Sequence, residues 1–507
     1  MTQSFSLLEK PWIPCAELDG TLREYGLRDA LVNAHQLRAI ESANPLETAS
    51  ILRLMLAVLH RVFPSETAAQ WRQRWKSAQW DASALDAYFH QWGDRFDLFH
   101  PLHPFYQNRD DRLPPRSVVR LFPGWDAAGW FNHEVEDESL VISPSEAARG
   151  LVVVQTFGLP GIRHPQLGLF FSGAPWLTGM VFFVEGINLF ETLALNWLRY
   201  AANHPRENLD KTTVDRPNWE CDDPFSPDRE TPLGYLDYLT FPNRRVYLIP
   251  EETPQGVTVR QIIDGPGLKL RASLFDPFKH YQEKNGALNF LYLDPAKSLW
   301  RNSSTLLSLH SEGSKPIESL PWLAERVIEG DIEPQVRYRL MSFGMVSDKA
   351  KAELVRMERL PLPVELLGDE AKVTILASML ASAEEVRKTL WGALYRLAEQ
   401  LIAFTADLQD GRKPAPADAK KLLAHWNVEP IFWQQLENPF LRSMGDLAEG
   451  GDPQIIVSNW QSVLFSTARS TLDKAISMAG ETPQALKAAV LARGQLGGGL
   501  KKLTPTS

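Results

Sequence analysis

The stretch FHPLHPFYQ, Phe99 to Gln107, places His100 and His103 three residues apart among prolines and aromatics. Imidazoles ligate metals and act as general bases. A helical zinc motif, however, sets two histidines four apart with a glutamate beside the first. Here the spacing is three, and Pro101 and Pro104 exclude a regular helix. No carboxylate-rich or cysteine-rich segment completes a ligand set, so the pair reads as packing at an aromatic corner. Nucleophilic chemistry has no better support. There is no G-x-S-x-G elbow, and Cys15 and Cys221 carry no local signature. No phosphate loop of the form G-x-x-x-x-G-K-[ST] occurs, and GLPG at 158–161 and GPG at 265–267 are too short for a dinucleotide fingerprint. The pairs Asp110–Asp111 and Asp222–Asp223 sit in polar, loop-like contexts. The expectation is a chain with no catalytic residues, no metal and no cofactor. A hydrolase using His100, His103 or His133 is the distant alternative.

The elements that position these residues fall into two regions. The chain has 507 residues and a net charge of -9, which argues against coating nucleic acid unaided, because phosphate contacts come from Lys and Arg. Acidic and basic residues balance over 366–507, so the whole deficit lies before them. After Glu481 come Lys487, Arg493, Lys501 and Lys502 with no acid, either a solvated helix face or a contact for nucleic acid or a partner. No apolar run is long enough to span a membrane. The start lacks a signal-peptide core, and two cysteines make no disulfide framework. A cytoplasmic protein is expected.

Residues 1–363 read as a mixed α/β (α+β) domain. LVVVQTF, GMVFFVEG and LNFLYL look like buried strands. LETASILRLMLAVLHRVF looks like an amphipathic helix with Ile51, Met55, Leu56 and Val58 near one face, and NLFETLALNWLRYAAN is a second helix. Residues 336–346 and 352–362 are extended candidates flanking SDKA, Ser347 to Ala350, and read as a protruding hairpin; a helix through DKAKAELVRMER is the other reading. Residues 364–507 read as amphipathic helices with short joints, hence a C-terminal four-helix bundle; Pro430 makes one unbroken helix across its neighbourhood unfavourable.

Four segments occur in a specific order: SLLEKPWIP near the start, HPFYQ at 103–107, WFNHEVEDESLVISPSEAARGLVVVQTFGLPG at 130–161, and LGYLDYLTFPNRRVYLIP at 233–250. With the hairpin and the helical end, they resemble the CasA family, large subunits of the type I-E CRISPR surveillance complex Cascade. The resemblance covers nearly the whole chain. It implies a non-catalytic subunit that recognises the protospacer-adjacent motif (PAM) in double-stranded DNA through the minor groove. It also implies that the subunit starts duplex opening for the guide RNA and its R-loop, and presents the target to a helicase–nuclease. The implied partners are the other Cascade subunits, the guide RNA, target DNA and that effector, with no membrane. The alternative is a scaffold subunit without PAM reading.

The resemblance also implies site residues. A glycine loop falls at Thr156, Phe157, Gly158 and Gly161, where absent side chains let backbone approach a duplex. Family members often carry adjacent glycines here; this chain has Pro160 between its two, which removes a donor. A lysine finger falls at Lys269, with Arg271 as fallback, projected by a turn at Gly265, Pro266 and Gly267. A wedge falls at Ser347, Asp348 and Lys349, where some relatives have glutamine. Trp130, Phe131 and Asn132 match a loop that docks near the guide RNA and its holding subunit. Arg387, Lys388, Lys420 and Lys421 either guide DNA or are solvated helix surface.

Overall fold

The computed structural model describes residues 4–63, 67–123, 140–161, 170–198, 215–254, 256–271, 274–333, 336–348, 351–405 and 416–503. The chain divides into two units: Met1–Leu299 with Ser311–Val364, and Trp300–His310 with Glu365–Ser507. A single cut between 363 and 364 therefore assigns Trp300–His310 to the wrong side. The reason is packing: the Trp300 ring lies 5.0 Å from that of Phe440, Arg301 sits 3.6 Å over Trp433, and its Nη2 donates to Glu384 at 2.6 Å.

The first unit is mixed helix and sheet. Its described strands form four three-stranded sheets, and every pairing is antiparallel. One joins Arg116–Ser117, Gly256–Pro266 and Arg244–Thr253. Another joins Lys351–Leu362, Tyr338–Asp348 and Val181–Glu185. The hairpin expected near 336–362 is thus present as two strands, paired from Tyr338–Leu362 to Asp348–Lys351 with a bulge at Val346/Ser347. Lys351–Leu362 is strand, not helix.

Two sequence readings are corrected here. LVVVQTF is not a strand: it is the end of the helix Pro144–Phe157. Ser143 and Glu146 form a capping box and Pro144 opens the first turn, a start signal that outweighs the β-branched run. A buried helix and a buried strand both read as continuous apolar residues, and Leu151 to Phe157 are all buried. The helix Pro45–Val62 is likewise not one-faced, since Leu46 through His60 are all buried. Arg53 lies in its middle, 4.5 Å over Trp176 and 4.8 Å over Tyr238, donating to Leu239 O at 2.9 Å. A buried guanidinium is tolerated because it is hydrogen-bonded and stacked on aromatics.

The second unit is helical. It contains Glu370–Thr405, Pro416–Trp426, Glu429–Ala448, Pro453–Ala479 and Pro483–Lys502. Asn427, with φ of 46°, separates Pro416–Trp426 from the next helix, and Pro430 sits in that helix's first turn. Pro is tolerated there because the first N–H groups lack intrahelical acceptors. Asp452 and Thr482 cap the last two helices through Gln454 N and Ala485 N. Trp460 Nε1 donates to Met379 O at 2.9 Å, tying the fourth of these helices to the first.

Candidate nucleic-acid interface

The glycine segment and the lysine segment meet at one node, Asn243–Arg244. The helix Pro144–Phe157 ends with Gln155 facing Arg244. The Gln155 amide donates to Arg244 O and accepts from Arg244 N, both at 2.9 Å, as a neighbouring strand would. The Arg244 side chain then turns to the glycine segment, and its Nη2 donates to Leu159 O at 2.7 Å. Asn243 does the same for the other segment: its Nδ2 donates to Leu268 O at 3.1 Å and Ser172 Oγ at 3.0 Å. Two adjacent residues thereby hold 158–161 and 267–271 together. Burial pushes the Arg244 guanidinium down to about 10, partly opposed by Asp264, so it stays cationic at neutral pH.

Past the strand Gly256–Pro266 the chain alternates. Leu268 is buried against Phe225 and Phe241, and Leu270 packs on the same cluster. Lys269 and Arg271, between and after them, are exposed. Period-two alternation in extended backbone puts neighbouring side chains on opposite sides, so anchoring two leucines fixes two cations outward. Gly267 starts the segment because its N–H donates to Asn243 O at 3.0 Å, and any Cβ there would stand 2.6 Å from Arg244 N. The expected turn at Gly265–Pro266–Gly267 is corrected: Gly265 and Pro266 still pair with Arg245 and Arg244, and only Gly267 lies beyond the strand. Lys269 Nζ is 3.4 Å from the Glu230 carboxylate, an exposed pair, while Arg271 N donates to Glu230 O at 2.7 Å.

The glycine segment differs from its expectation. Thr156 and Phe157 are buried in the last helical turn, so their side chains are closed to any duplex. Gly158 N donates to Val154 O at 3.0 Å, and Gly158 O accepts from Ala174 N at 2.9 Å. Gly161 N donates to Phe171 O at 3.1 Å. The backbone donors of both glycines are spent inside the protein, and a Cβ at Gly158 would strike the Val154 carbonyl and meet Arg244 Nη2 at 3.0 Å.

Ser347 and Asp348 are exposed at the described end of the hairpin, and Lys349 lies outside the described residues. The strand Tyr338–Asp348 pairs with Val181–Glu185 only from Arg339 to Phe343. The hairpin therefore runs five residues past its third strand, about 17 Å at roughly 3.4 Å per residue. Trp130, Phe131, Asn132 and His133 also lie outside the described residues. Of the bundle cations, Lys388 is paired within its own helix to Glu385, as solvated helix surface is, while Arg387 bridges Glu384 of its own helix and Glu429 of another.

The histidine pair has a structural role. His100 Nδ1 accepts from His103 N at 3.0 Å and Leu102 N at 3.3 Å, closing the corner. Gln107 then locks HPFYQ to the sheet, donating to Leu98 O at 2.7 Å and accepting from Leu248 N at 2.8 Å. Among the described residues no group of three or more His, Cys, Asp or Glu is placed to hold a metal. No helix among them is long and apolar enough to cross a membrane.

Sequence reasoning missed Gln155, Asn243 and Arg244 as the organising residues. Their signal was present: a glutamine in a run of buried apolar residues, and Asn-Arg at the start of an alternating strand. The model of the family described as CRISPR-associated protein Cse1 matches residues 6–471. The CasA/Cse1 protein of Thermus thermophilus is 30% identical over 513 residues, covering 97% of this chain and 96% of its own. A crystal structure of Thermus thermophilus CasA is similar with a TM-score of 0.81 at 28% identity, covering 99% of this chain and 100% of that one. A chain of a CRISPR RNA-guided surveillance complex shares the fold with a TM-score of 0.71 at 20% identity, covering 97% and 99%. Matched in sequence and fold along nearly its whole length, this chain belongs to the CRISPR-associated Cse1 (CasA) family.

Proposed function

We propose that this protein is the non-catalytic, duplex-reading subunit of a type I-E Cascade complex. In this reading it recognises the PAM from the minor groove through Lys269, with Arg271 beside it, and the hairpin ending at Ser347, Asp348 and Lys349 parts the adjacent base pair. The observation that carries the reading is the anchored alternation at 268–271: Leu268 in the core and Leu270 packed against it leave Lys269 and Arg271 exposed, on a segment fixed to the Asn243–Arg244 node. A lysine there meets groove acceptors present at every base pair, and such readout is degenerate, which suits a short and tolerant tag. Thr156, Phe157, Gly158 and Gly161 support the finger from behind; they are not its reading surface.

The acidic balance of the chain fits a subunit that adds local readout while a ribonucleoprotein supplies most phosphate attraction. Parting one base-pair step costs roughly 0.6–2.2 kcal/mol of stacking, and guide pairing then carries a near-balanced exchange. Trp130, Phe131 and Asn132 dock the subunit near the guide RNA, and the helicase–nuclease binds the assembled complex in the cytoplasm. The scaffold reading is favoured by one feature, the Glu230 carboxylate already holding Lys269. Duplex binding by the guide-loaded complex across a PAM library separates the two. Lys269→Ala is expected to weaken binding of PAM-bearing duplex by about 1–3 kcal/mol, the range of a good base contact. Tag discrimination that survives removal of the whole subunit leaves only the scaffold.

A further inference from the structure

The corner at His100 and His103 borders an open cleft of about 230 Å³. Asn218, Trp219, His103, Tyr247, Asn108 and Arg109 are among the residues that line it. Asn218 is only 7% exposed, yet its side-chain amide has no hydrogen-bond partner among the described residues; its backbone alone is engaged, to Thr240 Oγ1 at 2.8 Å. Neither amide atom is sealed from solvent, so the amide is open where Asn218 lines the cleft. Asn108 offers a second amide: its Oδ1 accepts from Arg245 at 2.8 Å, while its Nδ2 has no acceptor among the described residues. Tyr247 carries the Arg109 guanidinium 5.2 Å over its ring, and Arg109 Nε is spent on Asp111 at 2.6 Å. Arg95 is offset by Asp222, which stands at the rim.

We propose that this cleft binds one unpaired nucleotide of a single strand, base inward. Three features select that class. The volume is below the roughly 300–1,000 Å³ of a site for a drug-sized molecule and suits a single base with its sugar outside. A planar ring can enter beside Tyr247, where aromatic and guanidinium surfaces offer the stacking that unpaired bases use. Two amides then face the base edge, and an asparagine amide supplies the donor and acceptor that match N7 and N6 of adenine. Arg109, half exposed in the lining, meets the phosphate. Adenine is the expected preference. The inference rests on the cleft alone and does not require Lys269 to read a duplex.

The test is fluorescence anisotropy of a labelled six-nucleotide oligoadenylate titrated with the purified full chain. Saturable binding is expected, tighter than for oligothymidylate of the same length. Asn218→Leu and Arg109→Ala are each expected to weaken it about tenfold, while Arg23→Ala, on an exposed strand that does not line the cleft, leaves it unchanged. Thermal melting checks that Asn218→Leu folds, and Arg109→Ala, at an exposed position, answers the question if it does not. No saturation, or saturation that Arg109→Ala and a folded Asn218→Leu leave at the wild-type value, overturns the site.

Discussion

Arg244 reaches Leu159 through the space left by Gly158. Its Nη2 donates to Leu159 O at 2.7 Å, and a Cβ at Gly158 would stand 3.0 Å from that nitrogen while pressing on Val154 O. The glycine here is required first by the Val154 carbonyl, which a Cβ would strike, and then by the Arg244 guanidinium; its φ of -52° is not left-handed.

Gly158→Ala is accordingly expected to cost stability by overpacking, about 1–3 kcal/mol. Gly161→Ala, whose Cβ meets Phe171 at 3.3 Å, should cost less. Thermal or urea unfolding of both variants measures this. Equal stability of Gly158→Ala and wild type would contradict the packing account of the loop.

In the proposed reading, Glu230 competes with DNA for Lys269. Exposed ion pairs are worth about 0–1 kcal/mol, so Glu230→Gln is expected to raise affinity of the assembled complex for PAM-bearing duplex severalfold. The gain should shrink as salt screens the pair. In the double variant with Lys269→Ala the gain should vanish. A gain that persists without Lys269 would place the effect of Glu230 elsewhere, in general charge repulsion.

The hairpin end should matter only where strands must be parted. Ser347, Asp348 and Lys349 replaced together by glycine are expected to slow R-loop formation on fully paired targets. On targets with the PAM-proximal pairs already mismatched, the rate should recover to that of wild type. Equal defects on both targets would remove strand separation from this element.

His280 makes folding pH-dependent. Burial depresses its pKa from 6.5 to about 4, and its Nδ1 has no partner among the described residues. Below about pH 6.5 the unfolded chain takes a proton that the folded chain refuses. Stability is therefore full above that pH and falls as pH drops toward 4, by up to roughly 3 kcal/mol at about 1.4 kcal/mol per unit. Unfolding free energies of wild type and His280→Leu between pH 7.5 and 4.5 check this. The variant's slope should be shallower, and parallel slopes would assign the acid sensitivity to other groups.

Much of this protein follows from local sequence. Capping residues and apolar periodicity define the C-terminal helices, because Asp452 and Thr482 sit where orphan N–H groups need acceptors. Alternation around a short polar turn defines the hairpin, and the ordered segments identify the family. The tertiary structure decided what local pattern leaves ambiguous. LVVVQTF, whose apolar run fits either element, is buried along its whole length as helix, with Gln155 bonded to the Arg244 backbone. Trp300–His310 joins the helical unit because Trp433 and Phe440 receive Trp300. The surroundings of Gly158 and of Asn218 depend on residues far along the chain: Arg244 lies against one, and Thr240 Oγ1 holds the backbone N–H of the other. Sequence encodes such groups singly, and only folding shows which of them meet and which are left facing solvent.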